Sequence, residues 1–487
     1  MLVDKITFVS GIFNVLHPGH LRLLRYAKSL GGRLVVGVLS DHLAKGSAHV
    51  SEDLRLEGLR SVSLIDDVVL VSESLDKTIT ELRPDFVVKG SEHEDRHNAE
   101  TDLVLAYGGQ LVFSSGESVF SSLDLLRREV SIFDPRTISF PRDYAERHRI
   151  KIDNLEKIIK GFRDIKVCVV GDLIVDEYIT CEALGMSQED PTIVVSPVDT
   201  KRFIGGAGIV GAHAASLGAT VSLVSVSGND SARTFAIEEL EKLGVSCHIS
   251  IDKARPTTLK QRFRSQGKTL LRVSHLSQSA ISTPLQRRLY AAMEESLAGA
   301  DLLVFSDFNY GCLPQALVEK IVLYARQKNV LMVADSQSSS QTGDISRFRG
   351  MDLITPTERE ARVSTRNRED GLVILARKLH EQSGAKNVLL KLGSEGVLIQ
   401  ADSSRLAPGE KVDESGWLTD RIEALNSAAK DVAGAGDSLL ITSAMALAGG
   451  AHIWEAACLG SLAAAVQVGR VGNSPLKVPE LISELAA

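Results

Sequence analysis

Residues 431–439 read D-V-A-G-A-G-D-S-L and run straight into L-I-T-S-A-M-A-L-A, residues 440–448. Small residues behind a glycine-rich turn predict a loop that enters a helix. Gly434, Ala435 and Gly436 leave backbone N–H groups free to surround an anion, and the start of a helix favours negative charge. Asp437 stands at that start, where it can take a proton from an alcohol. The same residues also fit a capped helix with a flexible approach, so the stretch taken alone leaves both readings open.

Working outward, the stretch closes a long α/β alternation. It opens with a helical L-E-K-I-I-K-G-F at 155–162 and the buried-strand run K-V-C-V-V-G-D at 166–172. Two segments break the rhythm, Thr192 to Val198 and Thr257 to Val273. Both are rich in β-branched residues and alternating charges, and they predict a small accessory sheet. The first 130 residues alternate in their own right: I-T-F-V-S, a helical pattern from His20 to Ser29, L-V-V-G-V-L, D-V-V-L-V and D-F-V-V-K, as in a parallel sheet. Between them I-F-D-P-R-T-I-S-F-P-R-D-Y-A-E-R-H-R, residues 132–149, lapses into prolines and charges. The expected organisation is therefore a domain over 1–130, a linker over 131–152 and a domain over 153–487.

Composition agrees. A chain of 487 residues exceeds one ordinary hydrophobic core, and 44% hydrophobic with 24% charged residues suits packed globular domains. With 55 basic against 62 acidic residues, the formal charge of −7 argues against a nucleic-acid partner. Five cysteines lie far apart with no C-x-x-C pair, which suggests neither zinc nor a disulfide framework and fits a reducing cytoplasm. No run of about 18 apolar residues predicts a membrane span.

A second candidate site lies at Gly11–His20, G-I-F-N-V-L-H-P-G-H, between the first strand and the first helix, where α/β folds bind phosphates. Gly11 and Gly19 let backbone approach a ligand, and His17 and His20, three apart, can face one anion. The plain alternative is two polar residues at a turn.

The ten-residue pattern resembles the G-x-F-D-x-x-H-x-G-H motif of the cytidylyltransferase-like nucleotidyltransferases. The likeness continues through S-E-D-L-R-L-E-G-L-R, P-D-F-V-V-K-G-S and G-G-Q-L-V-F. It implies a Rossmann-like domain in which a substrate phosphate attacks the α-phosphate of a nucleoside triphosphate and pyrophosphate leaves. His17 and His20 would then hold the triphosphate, with Gly11, Phe13 and Asn14 in the nucleotide loop. Lys45 and Arg55 would be further phosphate or orienting residues, or else residues of a solvated face. Ser121 and Ser122 match the family's second Ser/Thr signature, or are simple helix caps. Residue 14 is Asn where the family has Asp.

The C-terminal stretch resembles the D-x-x-G-A-G-D signature of the ribokinase-like (PfkB) carbohydrate kinases. A second signature stands upstream as F-I-G-G-A-G-I-V-G-A-H-A-A-S-L-G-A, residues 203–219. The likeness extends to G-D-L-I-V-D-E-Y, to P-T-T-L-K-Q-R-F-R in the lid region and to S-D-F-N-Y-G. It implies an α/β kinase with a small β lid, ATP as donor and Mg2+ as cofactor. Asp437 would be general base, with the anion loop at Gly434, Ala435 and Gly436. Lys391, Gly393 and Gly396 would bind nucleotide, Asp172, Asp176, Gly205 and Gly206 would bind sugar, and Glu360 would place the metal. Asp172 is equally readable as a strand-end cap.

Three changes depart from this pattern: Ile209 for Asn, Thr357 for the Asn of N-x-x-E, and D-S-Q at 335–337 for D-P-K. Together the halves are similar to those of the ADP-heptose synthases, in reversed order. The implied substrates are sugar phosphates and nucleoside triphosphates, with CTP as an alternative to ATP at the first site. The alternatives are CMP transfer to another phosphorylated sugar or polyol, and a binding protein with one site inactive. Pairing of the lid strands across a two-fold axis predicts a homodimer.

Overall fold

The computed structural model describes residues 5–14, 16, 18–44, 48, 50–90, 98, 100–114, 137–187, 189–190, 192–266, 268–337, 343–402 and 417–485. The chain divides into two compact units, residues 1–135 with 367–375, and residues 136–366 with 376–487.

In the first unit, five strands pair throughout in parallel: β1 (Ile6–Gly11), β2 (Arg33–Leu39), β3 (Asp67–Val71), β4 (Phe86–Gly90) and β5 (Gln110–Ser114). Their order is β3-β2-β1-β4-β5. Alternate residues feed opposite faces. Val9, Val36 and Val88 join Leu24 and Ala27 of helix Pro18–Leu30 on one side, while Phe8, Val35 and Val87 meet Ile79 and Val104 on the other. This two-sided burial explains why the strands read as continuous apolar runs. The strand order reverses at β1, so the G-I-F-N segment leaves the sheet at its switch point, where open α/β sheets hold ligands.

The second unit has two sheets. The larger runs β10-β9-β6-β13-β14-β15-β16-β17-β18. Its members are β6 (Lys166–Gly171), β9 (Thr220–Ser227), β10 (Ser246–Ile251), β13 (Leu302–Asp307), β14 (Leu331–Ser336), β15 (Leu353–Ile354), β16 (Asn387–Lys391), β17 (Val397–Asp402) and β18 (Trp417–Ile422). Pairings are parallel as far as β16 and antiparallel beyond it. The smaller sheet runs β12-β11-β7-β8, from β7 (Leu173–Met186), β8 (Ile193–Gly206), β11 (Thr258–Ser265) and β12 (Lys268–His275). The accessory sheet is thus larger than expected. The chain after Asp172 does not turn at once but runs out as a 14-residue strand that pairs with both predicted segments.

Helices Ala207–Ser216, Ala435–Ala448 and Ile453–Val468 are built largely of small residues and lie almost wholly buried in the main core. The described part of the stretch expected as linker, from 137 onward, is packed against this unit. The Tyr144 hydroxyl donates to the Trp454 carbonyl at 3.0 Å, and the His148 ring stacks on Trp454 at 4.1 Å. Arg147 and His148 both bond Asp420 of β18. The aromatic anchors Tyr144 and Trp454 outweigh the polar composition that suggested a free connector.

Candidate functional site

A pocket of about 500 Å3 opens in the second unit, and the glycine-rich stretch forms part of its wall. Gly434 is the N-cap of helix Ala435–Ala448 with φ +78°, and a Cβ there would lie 2.3 Å from Asn473 Oδ1. Both conformation and space demand glycine. Asp437 follows in the first helical turn, buried at the pocket wall. Burial, aided by the negative charge of Asp335, pushes its carboxyl up to about 7, against the pull of Lys391. A carboxylate so poised matches proton removal from an alcohol near neutrality.

Lys391 ends β16 and points its ammonium at Asp335, 2.9 and 3.0 Å from the two carboxylate oxygens. Burial pulls the ammonium's pKa down, but the negative charges of Asp335 and Glu360 outweigh it and raise it above the usual lysine value. Gly393, Gly396, Gly434, Ala435 and Gly436 line the same pocket as Lys391.

Asp176 and Gly206 lie across the pocket. Burial raises the Asp176 carboxyl, against Arg262 and Lys260. Its Oδ2 accepts from Asn473 Nδ2 at 3.4 Å, while Oδ1, 3.7 Å from Arg262, has no hydrogen-bond partner among the described residues. A buried acceptor left open toward a cavity suits a ligand hydroxyl. Gly205 makes room for this carboxylate, since a Cβ there would sit 2.5 Å from Oδ2.

Other expected residues are placed differently. Asp172 accepts backbone N–H groups of Phe308, Tyr310 and Cys312 with its two oxygens, and it stands apart from the pocket lining. It therefore caps the strand end and shapes the loop that presents Phe308. Ile209 is buried in the core and faces no ligand space. Thr357 and Glu360 form a reciprocal capping box at the start of helix Glu358–Thr365: the Thr357 N–H donates to Glu360 Oε2 at 2.7 Å, and the Glu360 N–H to Thr357 Oγ1 at 3.3 Å. Thr357 thus supplies local structure in place of an amide, and Glu360 still borders the pocket. No cluster of three or more His, Cys, Asp or Glu among the described residues is placed to hold a metal ion.

Among the pocket residues that escaped the sequence reading are Lys260, Arg262 and Asn473. The first two alternate along β11 toward one face, and the ammonium of Lys260 lies over the rings of Phe308 and Tyr310 at 4.8 and 5.2 Å. Period-2 spacing of basic residues in K-Q-R-F-R was the available signal.

In the first unit Gly11 closes β1, and Phe13, at φ +54°, is buried with its ring 5.0 Å from that of His20 in helix Pro18–Leu30. A Cβ on Gly11 would press on the Phe13 ring at 3.0 Å. Asn14 is half-buried beside them. His17, Lys45, Ser121 and Ser122 lie outside the described residues. Arg55 is no surface cation: its side chain is fully buried, donating to the carbonyls of Val50, Ile12 and Leu39 and to Asp41. It ties together the chain ends leaving β1 and β2 instead of presenting its charge to a phosphate.

A family model described as pfkB family carbohydrate kinase matches residues 164–480, and one described as cytidylyltransferase-like matches residues 8–110. The chain is 30% identical over 328 residues to the bifunctional protein HldE of Desulfatibacillum aliphaticivorans, covering 66% of this chain and 64% of that protein. It is 29% identical over 324 residues to the bifunctional protein HldE of Helicobacter hepaticus, covering 65% and 63%. The chain thus spans a little under two thirds of the length of these curated relatives. Among solved structures, Arabidopsis thaliana ribokinase complexed with ribose and ATP aligns with a TM-score of 0.50 at 20% identity, over 66% of this chain and 98% of that one. Phosphofructokinase-2 from Escherichia coli, in complex with substrates and products, aligns with a TM-score of 0.53 at 16% identity over the same shares. At such identities the likeness shows the fold alone: a ribokinase-like unit follows a cytidylyltransferase-like one.

Proposed function

The chain belongs to the pfkB family of carbohydrate kinases, and from that premise we propose that it makes a nucleotide-activated sugar, ADP-heptose or a close relative, with one active site in each unit. The second unit phosphorylates a sugar that already carries a phosphate. The first joins a sugar phosphate to the nucleotidyl group of ATP and releases pyrophosphate. The observation that carries the substrate class is the pair Lys260 and Arg262, two lid cations facing the same pocket as the open acceptor of Asp176. A neutral sugar needs acceptors and donors, whereas two cations suit an additional anionic group.

In the kinase step Asp437 takes the proton of the sugar hydroxyl as its oxygen attacks the terminal phosphorus of ATP. The bond to the bridging oxygen breaks, and ADP leaves. The helix N-terminus at Gly434–Gly436 receives the charge that spreads over the transferring group. Asp176 orients the sugar hydroxyls. Glu360, which borders the pocket, would be the carboxylate that holds magnesium alongside the nucleotide, the described residues offering no larger cluster of donors. The ion would supply charge neutralisation there. In the first unit His17 and His20 hold the triphosphate, with the loop at Gly11, Phe13 and Asn14 kept in place by Arg55. No acid or base group is required for that displacement, so positioning and charge stabilisation account for the rate.

The same reading places the enzyme in the cytoplasm. No helix among the described residues is long and apolar enough to cross a membrane. It also assigns a second copy of the chain to the accessory sheet, whose Leu184, Met186, Ile193, Val198 and Leu271 are exposed.

The test is incubation of the protein with Mg2+, ATP or CTP, and a panel of sugars and sugar phosphates, following ADP and pyrophosphate separately. Loss of ADP alone in Asp437→Asn and of pyrophosphate alone in His20→Ala is the expected result. Preference for neutral sugars over sugar phosphates overturns the substrate class, and pyrophosphate release with CTP but not ATP moves the product to a cytidylyl sugar.

A further inference from the structure

Three cations line the kinase pocket among the described residues: Lys260, Arg262 and Lys391. The first two share the lid strand. Lys391 enters from the main sheet and stands alone on its side. The segment D-S-Q at 335–337 brings the uncharged Gln337 to the pocket, so Lys391 is the cation on this wall.

Two relationships define its place. Its ammonium sits on Asp335, which also accepts from Thr355 Oγ1 at 3.1 Å. This pair reaches from β14 to β16 across the two-residue strand β15. The ammonium also lies where it would be 3.2 Å from a Cβ on Gly436, so any side chain at 436 would press on it. Two sources of positive potential, an ammonium and a helix N-terminus, therefore converge beside Asp437. Among the described residues, Asp335 is the hydrogen-bond partner of the ammonium.

On the kinase reading of this pocket, with Lys391 in the nucleotide subsite, we propose that Asp335 holds the Lys391 ammonium in reserve: the terminal phosphates of the nucleotide replace Asp335 as its counter-ion. Asp335 is then a competitor for the ammonium as well as its anchor. The charge that arrives with the triphosphate is met from below by Lys391 and from the side by the N–H groups of the anion loop. Asp335 is a positioning residue, acting on the nucleotide only through Lys391.

The competition makes a prediction that a purely structural ion pair does not. AMP-PNP is titrated calorimetrically into the full chain with Mg2+ present, following the binding component that Gly434→Val abolishes. Lys391→Met weakens that component tenfold or more. Asp335→Asn, which frees the ammonium, tightens it several-fold. The double variant binds like Lys391→Met alone, because Asp335 has no effect without the lysine. Lys391→Arg, which keeps the charge, retains most of the affinity. Weaker binding in Asp335→Asn, or a double variant whose loss is the sum of two separate losses, overturns the proposal and leaves a pair that merely fastens β14 to β16. Wild-type protein that binds AMP-PNP yet never forms ADP from ATP overturns the kinase reading while the affinities still decide this one. Wild-type protein with no component sensitive to Gly434→Val overturns both.

Discussion

Gly460 packs so closely on Ser443 that a Cβ added to the glycine would stand 2.0 Å from the serine Oγ and 2.9 Å from the Leu439 carbonyl. The Ser443 hydroxyl is itself committed to the Ala456 carbonyl at 3.0 Å. Helix Ile453–Val468 thereby fixes the helix that presents Asp437. Gly460→Ala is expected to cost about 1–3 kcal/mol by overpacking, read as a lower midpoint in thermal unfolding. An unchanged midpoint would mean that the two helices separate freely.

Asp437 gives the kinase its pH dependence. Its carboxyl must lose a proton to serve as base, and burial raises it to about 7. ADP formation should therefore rise with pH through about 7, while Asp437→Asn lowers the rate roughly 10²–10⁴-fold. Stability runs the other way. A carboxyl raised in the folded state favours folding most below its unfolded value, and that contribution disappears as pH climbs through 7. The midpoint of Asp437→Asn relative to wild type should consequently increase between pH 5 and pH 8. A flat difference would refute the assignment.

Lys260→Met and Arg262→Met should each raise KM for the sugar phosphate about tenfold, the lower end of what a charged hydrogen bond contributes. KM for ATP should stay within about twofold in both, since β11 faces the sugar side of the pocket. Equal effects on both substrates would instead point to collapse of the accessory sheet.

Arg55→Met leaves three carbonyl groups and Asp41 without their donor. Pyrophosphate formation should fall sharply and ADP formation should persist. Arg55→Lys should not rescue it, because one ammonium cannot reproduce the guanidinium fork that binds Ile12 and Leu39 together. Retained pyrophosphate release in Arg55→Met would show that the loop after β1 holds its shape unaided.

What could be read from residues alone was what depends on near neighbours. The glycines of 431–437 announce their turn because the backbone there demands them, and apolar runs such as L-V-V-G-V-L mark strands buried on both faces. For Arg55 and Asp172 the sequence left two readings open for the opposite reason: their partners are supplied by the fold. Asp172 bonds an amide 136 residues away, and Arg55 a carbonyl 43 residues back. A charged residue destined for burial in such company looks the same in sequence as one bound for a ligand. Strand β7 was likewise hidden, because its outer half lies exposed and its partners β8 and β11 are supplied by later stretches of the chain.

Residues 137–152 also decide where this chain can be cut. With Tyr144 and His148 against Trp454 and with Arg147 on Asp420, they act as a strap across the second unit. A fragment starting at 153 would bare an indole face and strip Asp420 of Arg147 and His148, whereas one starting at 137 would keep them. Residues 137–152 therefore belong with the second unit, and a cut meant to keep that unit's strap falls before them, although residues 367–375 still belong to the first unit.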